Sequence, residues 1–162
     1  MLSLKKVLTQ GTEEKIAGLE RRVEDERRRN DDELTLLKQQ IVRVSKGGAL
    51  SAEAILDGRL FNEVAPSNLT DFVSDTDSLV IIDVRTDSEW AGGRIPGAKH
   101  IPIDQLARRI DELGDAKSKP ILAYCAAGGR SAAACDLLSQ NGFMTLFNAA
   151  GGIGAYKGNL DR

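Results

Sequence analysis

Two apolar runs constrain the fold of this chain more than any other feature of its sequence. The runs LVIIDV at 79–84 and PILAYC at 120–125 are almost entirely apolar and have the length of strands. Neither run alternates apolar with polar residues, as a strand with one solvated face would. The sequence therefore predicts an α/β domain whose central, mostly parallel sheet is flanked by helices.

Shorter elements alternate around these two runs. Further strands are predicted near Asn62, at 99–103 and at 143–148, and helices at 51–60, after Pro66, at 104–113 and at 130–140. Asn141-Gly142 ends the last helix, and the glycine-rich stretch 149–158 follows the last strand. This alternation is typical of an α/β sheet.

A charged segment, residues 1–48, precedes the globular part, residues 49–162, with Gly47-Gly48-Ala49 as the linker. Between Thr12 and Lys46, nine basic residues stand against nine acidic ones, and no proline interrupts them. The pattern predicts one long helix, with Thr12 as its N-cap and Gly47 at its C-terminal end.

The apolar residues of this helix are sparse but regularly spaced. They form a seam along one face of the helix, with one gap between Val23 and Leu34. Its residues are Ile16, Leu19, Val23, Leu34, Leu37, Ile41 and Val44. Because so charged a helix buries little apolar surface alone, we expect a short coiled coil. Residues 12–46 would then hold a homodimer or dock on a helical protein partner. A solvated single helix is the alternative.

Composition excludes several classes of partner. The formal net charge of −2 and the pI near 5.5 give the chain no cationic field, so we expect neither nucleic-acid nor membrane binding. The sequence has no uninterrupted apolar stretch of signal-peptide or membrane-span length. We therefore expect a cytoplasmic protein.

The two cysteines of the chain are expected to be reduced thiols. Cys125 and Cys135 are too few for a secreted disulfide framework, and their spacing of ten residues is unlike that of zinc ligands. We expect no bound metal.

The candidate chemistry lies around Cys125. An apolar strand ends at this residue, the small residues 126–129 follow, and a helix opens at Arg130-Ser131. Ligands of open α/β sheets bind at this end of the strands. Small residues let backbone N–H groups turn toward the sulfur, and the helix N-terminus adds positive potential. We expect this nest to lower the thiol pKa and to stabilise a thiolate or a terminal persulfide anion.

Two side chains complete this nest. Arg130 can donate to an oxyanion such as sulfonate, and Ser131 can cap the helix or bond the sulfur. The alternative is an inert buried cysteine followed by a routine glycine turn. The complete string C-A-A-G-G-R-S at a strand-to-helix junction favours the functional interpretation.

Several segments together resemble the rhodanese family over residues 62–159. The stretch at 79–103 is similar to the family's D-x-R, acidic-aromatic and G-x-I-P-G-A-x-x-I-P signature, through Asp83, Arg85, Glu89, Trp90, Gly93, Ile95, Pro96, Gly97, Ala98, Ile101 and Pro102. The active-loop string follows at the family's usual distance. NAAGGIGAYKG resembles the closing turn, with Tyr156 where the family often has tryptophan.

The resemblance implies a single-domain sulfurtransferase. It would move sulfane sulfur from a donor such as thiosulfate, a persulfide or a polysulfide to a thiol or cyanide. Cys125 would be the nucleophile and would carry the sulfur as a covalent persulfide, without a cofactor. The persulfide cradle would be Ala126, Ala127, Gly128, Gly129, Arg130 and Ser131. Asp83 and Arg85 would support this loop, although a structural ion pair explains them equally well.

Other polar residues have plainer interpretations. Glu89 and Arg94 are expected to be structural or solvent-facing, and His100 is expected to be packed or at the surface rather than a base. Cys135 is expected to be a buried spacer, because a helical turn and a loop separate it from Cys125.

Two other functions remain open. A cysteine phosphatase uses a related anion cradle, but typically with a longer loop than the four residues between Cys125 and Arg130. A module that relays persulfide without turnover could be assembled through the N-terminal helix. Because residues 126–129 carry no cation, we expect modest affinity for thiosulfate.

Overall fold

The computed structural model describes residues 2–162, and the side chains from Thr12 onward. Contacts divide the chain into a unit that ends at Gln39 and a unit of residues Gln40–Arg162. The first unit lies within α1, Leu2–Ser45, and the sheet belongs to the second.

A five-stranded parallel sheet forms the centre of the second unit, which confirms the predicted α/β fold. The strands are β1 Asn62–Val64, β2 Val80–Asp83, β3 Lys99–His100, β4 Pro120–Tyr124 and β5 Thr145–Ala149. Their order in the sheet is β1-β5-β4-β2-β3, and every neighbouring pair is parallel. The two runs that dominate the sequence therefore lie side by side as β2 and β4.

Helices cover both faces of this sheet. They are α2 Ala52–Leu56, α3 Leu69–Asp75, α4 Asp87–Ala91, α5 Ile103–Arg109 and α6 Gly129–Gln140, with short 3-10 turns at Pro66–Asn68, Ile110–Ala116 and Gly152–Ala155. On one face Ile121 of β4 packs with Leu106 and Leu138, and on the other Leu122 packs with Leu69. Burial on both faces explains why the strands lack alternation.

The elements differ from the predicted ones mainly at their ends. α2 stops at Leu56, because Gly58 turns the chain with a φ of 66°. β3 stops at His100, since Pro102 has no N–H group for a strand ladder, and α5 begins at Ile103.

The helix α1 begins earlier than predicted. It starts at Leu2, so Thr12 lies inside the helix and its prediction as the N-cap was wrong. Good helix formers precede Thr12, and the single Gly11 costs only about 1 kcal/mol in a helix interior. Within the described residues, no helix has both the length and the hydropathy that a membrane span requires.

The last turns of α1 belong to the second unit. Arg43 is buried, and its Nη1 donates to the carbonyl oxygens of Phe143 at 2.8 Å and Met144 at 2.6 Å. Gln40 Nε2 donates to the carbonyl oxygen of Arg59 at 3.1 Å. The contacts therefore group residues 40–48 with the sheet, whereas the predicted boundary lies after Gly48.

The burial of Arg43 leads to a stability prediction. Arg43→Ala removes a charged donor from two carbonyl groups, so the free energy of unfolding should fall by roughly 3 kcal/mol. Arg28→Ala, at an exposed helix arginine, should change it by less than about 0.5 kcal/mol. Urea denaturation followed by the fluorescence of Trp90, the one tryptophan, measures both. Equal losses in the two variants would contradict this role of Arg43.

Candidate active site

The parallel register of β2 and β4 sets the position of the candidate site. Asp83 pairs with Tyr124, and the N–H of Val84 donates to the carbonyl oxygen of Tyr124 at 3.1 Å. The two strands therefore end at the same edge of the sheet. Cys125 follows β4 there, and Arg85 follows β2.

The loop after Cys125 turns back on the sulfur. Gly128 has a φ of 105°, which glycine adopts without strain, and its N–H donates to Cys125 Sγ at 3.1 Å. Ser131 Oγ lies 3.5 Å from the same sulfur and 3.0 Å from the carbonyl oxygen of Gly128, so its one proton can go to either. Cys125, Gly128 and Ser131 are buried, whereas Ala126, Ala127 and Gly129 are exposed.

A second turn braces this loop from behind. A Cβ on Gly128 would lie 2.5 Å from the carbonyl oxygen of Ala150, and a Cβ on Gly152 would lie 2.2 Å from that of Ala126. The N–H of Ile153 donates to the carbonyl oxygen of Cys125 at 2.8 Å. The closing turn that the sequence analysis singled out therefore needs glycine because two backbone segments meet there.

The pKa of Cys125 lies below its ordinary value. Burial raises the pKa, but the Ser131 hydroxyl and the backbone N–H groups of Ala127, Ser131 and Gly128 stabilise the thiolate and outweigh burial. The arrangement can therefore hold a sulfur anion.

Arg130 does not stand alone at the start of α6. Its Nη1 and Nη2 donate to Glu89 Oε2 at 2.8 Å and Oε1 at 2.7 Å, which is a bidentate ion pair. These bonds and those from Thr86 hold the pKa of Glu89 far below its usual range, and Glu89 raises the pKa of Arg130.

Sequence reasoning missed this role of Glu89. Thr86-x-x-Glu89 is a capping-box pattern, and the structure has that box at the start of α4. This box gives a physical reason for the structural position that was expected of Glu89. The partner Arg130 lies 41 residues away, so nothing local predicted the ion pair.

Asp83 and Arg85 form a buried pair at the end of β2. Arg85 donates to both carboxylate oxygens of Asp83 and to the carbonyl oxygen of Gly93 at 2.7 Å, and it lies over the ring of Tyr124. These contacts hold the strand end before Cys125 and the turn at Gly93 rather than residues 126–131. The predicted support of the loop by this pair stays a prediction.

Cys135 and His100 lie in packed positions. Burial raises the pKa of Cys135, and its thiol faces the carbonyl oxygen of Phe147 at 3.5 Å. The ring of His100 stacks on Trp90, with 4.7 Å between centroids, and its Nε2 lies 2.9 Å from the carbonyl oxygen of Arg85. Among the described residues, no group of three or more His, Cys, Asp or Glu is placed to hold a metal ion.

Known proteins are similar to more than half of this chain. The family model for the rhodanese-like domain matches residues 65–159. A sulfurtransferase of Allochromatium vinosum is 34% identical over 97 residues, which are 60% of this chain and 89% of that protein.

Two solved structures have the same fold. A rhodanese-like domain protein from Staphylococcus aureus is 34% identical with a TM-score of 0.53, covering 62% of this chain and 97% of that one. A protein from Staphylococcus saprophyticus is 29% identical with a TM-score of 0.55, covering 63% of this chain and 100% of that one.

The lowered pKa of Cys125 predicts how its alkylation depends on pH. Because the thiolate persists to lower pH, iodoacetamide should reach its half-maximal rate below the pH expected of an ordinary cysteine. Ser131→Ala removes a donor to the sulfur, so this midpoint should move up. Ser139→Ala, a matched change on the same helix, should leave it in place.

Both variants are compared in a Cys135→Ser background, so that a single thiol reacts. A midpoint that Ser131→Ala leaves unchanged would show that the hydroxyl does not act on the thiolate.

Proposed function

This chain belongs to the family of rhodanese-like domains, and on that premise we propose that it is a sulfurtransferase that works through a persulfide on Cys125. The observation that carries the proposal is the set of donors around the Cys125 sulfur, from the Gly128 amide to the Ser131 hydroxyl. They favour an anionic sulfur, which a sulfur carrier needs both before and after it is loaded.

The proposed transfer has two steps. In the first, the Cys125 thiolate forms a bond to the outer sulfur of the donor, the donor's S–S bond breaks, and its electron pair leaves as sulfite or a thiolate. In the second, a thiol or cyanide attacks the terminal sulfur and Cys125 leaves as the thiolate. No cofactor takes part. Residues 126–131 would hold the terminal sulfur between the two steps.

The ion pair of Arg130 with Glu89 helps to distinguish the sulfurtransferase from a cysteine phosphatase. Arg130 is bound to Glu89 on two nitrogens, so its charge is already matched before any phosphoryl group binds. Together with a loop of four residues, shorter than is typical of cysteine phosphatases, this makes the phosphatase the weaker alternative. A persulfide relay remains the second candidate, because it uses the same loop and differs only in turnover. Both cysteines are free thiols, which suits a reducing compartment, and we propose a cytoplasmic location on that basis.

The N-terminal helix offers a seam for a partner. The seven apolar residues of the predicted seam are each about half exposed or more, among them Leu19 at 57%, Val23 at 64% and Ile41 at 66%. We propose that a second copy of this chain covers the seam as a coiled coil, because basic and acidic residues are balanced along the helix and can pair between two copies.

The persulfide proposal predicts opposed behaviour of the two thiols. Incubation with a sulfane-sulfur donor should add the mass of one sulfur atom to the protein, and cyanide should remove it. Cys125→Ser should abolish the added mass, because Cys125 alone has the loop donors around it. Cys135→Ser is the matched control and should retain most of it, since burial keeps the Cys135 thiol protonated. Mass spectrometry measures both.

Label found only on Cys135 would overturn the assignment. Steady-state turnover with a small acceptor then separates the two candidates, since a dedicated relay would load Cys125 but turn over poorly without its partner.

The coiled-coil proposal predicts a change of oligomeric state. The full chain should sediment as a dimer, and replacing Leu34 and Leu37 by glutamate should give a monomer, because buried like charges oppose association. Replacing the exposed Arg28 by glutamine should leave the dimer intact. A full-length chain that sediments as a monomer at tens of micromolar, roughly the range in which short coiled coils associate, would remove the proposal.

A further inference from the structure

Arg130 is the cation that the active-site string places nearest the Cys125 sulfur, yet its charge is already matched. Both of its terminal nitrogens donate to the carboxylate of Glu89, at 2.8 Å and 2.7 Å. The side chains of Arg130 and Glu89 are 35% and 32% exposed, so the pair can be reached from solvent and is not part of the core.

Glu89 is held in place from its own side as well. Its Oε2 accepts from the backbone N–H of Thr86 at 3.0 Å and from the Thr86 hydroxyl at 2.9 Å. The contacts with Thr86 therefore fix the Glu89 carboxylate independently of Arg130, and the carboxylate then fixes the position of the guanidinium. A bidentate pair with one fixed member has a defined geometry.

The second arginine at this edge of the sheet is matched in the same way. Arg85 binds both carboxylate oxygens of Asp83. Neither arginine thus gives the site an excess positive charge. An anion next to Cys125 is then stabilised by the Ser131 hydroxyl and by backbone N–H groups such as that of Gly128. Arg130 also interacts with Cys125, but with a charge that Glu89 already offsets.

This balance of charge should disfavour thiosulfate as a sulfur donor more than it disfavours a protonated persulfide. Thiosulfate is a dianion and its leaving group, sulfite, is one as well, so both gain from an unmatched cation. A protonated low-molecular-weight persulfide R–S–SH is neutral. The Cys125 thiolate bonds to its outer sulfur, the S–S bond breaks, and the electron pair leaves with R–S⁻. That reaction needs less positive charge at the mouth of the site.

We propose that Glu89 is a specificity-determining residue: by matching the charge of Arg130 it directs the site toward persulfide donors and away from thiosulfate. The proposal rests on the sulfurtransferase function proposed above and names the donor class for it. Glu89 acts through Arg130, so it is a positioning residue and not a catalytic one.

Glu89→Gln is a clean test, because glutamine keeps the capping box with Thr86 while it removes the charge. Asp87→Asn is the matched control. It removes the same charge from the same helix, and Asp87 is 87% exposed and does not bind Arg130.

The measurement is the single-turnover rate of Cys125 persulfide formation in the full-length protein, as a function of donor concentration. The donors are thiosulfate and the persulfide of 2-mercaptoethanol, whose protonated form carries no charge. Glu89→Gln should raise the preference for thiosulfate over the persulfide by about tenfold, which corresponds to about 1.4 kcal/mol. The gain should come mainly from a lower half-saturating concentration of thiosulfate. Asp87→Asn should change the preference by less than about twofold.

Two further variants keep the test decisive. In an Arg130→Ala background, Glu89→Gln should give no gain for thiosulfate, because no cation remains to be released. Arg130→Ala alone leaves an unmatched carboxylate and should lower the preference for thiosulfate below that of the wild type. This second variant decides the question if Glu89→Gln does not fold.

The outcomes separate this proposal from the function it rests on. If the wild type forms the Cys125 persulfide but Glu89→Gln behaves as Asp87→Asn does, the specificity role is wrong and the sulfurtransferase function stands. A gain that persists without Arg130 would also overturn it. If no donor loads Cys125 in any variant, the proposed function itself fails.

Discussion

The central position of β4 is the constraint on which the rest of the structure depends. This strand pairs with β2 on one side and β5 on the other, both in parallel, so three chain segments leave the sheet at one edge. Cys125 is the first residue after the central strand, and it therefore emerges between the turn that carries Arg85 and the turn that carries Gly152. The segment from the end of β2 to α4 carries Asp83, Arg85 and Glu89, which form ion pairs. The turn after β5 presents its backbone at Ala150 and Gly152 to the loop after Cys125.

That backbone surface explains why the loop keeps its shape without large side chains. Gly128 lies against the carbonyl oxygen of Ala150, and Gly152 lies against that of Ala126, so neither position can accept a Cβ without displacing backbone. The N–H groups that face the sulfur are thus fixed by packing from behind, while Ala126 and Ala127 stay exposed for a donor to approach. A donor site made of fixed amides loses little entropy when an anion binds.

Much of the fold could be predicted because its signals are local. The apolar runs of β2 and β4, the stop at Asn141-Gly142 and the small residues after Cys125 each report on a few neighbouring positions. The ion pair of Glu89 with Arg130 joins distant segments, and the anchoring of Arg43 on the carbonyl oxygens of Phe143 and Met144 does too. Neither contact produces a periodic pattern in the sequence from which it could be predicted. The N-cap at Thr12 failed for another reason, since a helix tolerates one glycine before it.

The two charge pairs at the sheet edge respond differently to their surroundings. Asp83 and Arg85 are buried, whereas Glu89 and Arg130 are a third exposed and partly screened by solvent. The pKa of Glu89 is lowered on folding, so its contribution to stability is complete above the unfolded value of about 4.3 and is lost as pH falls toward the folded value. Near neutral pH the carboxylate remains charged and Arg130 remains matched. The change of charge in the site near that pH then comes from the Cys125 thiol, because the Ser131 hydroxyl and the amides that bind its sulfur have no proton that titrates there.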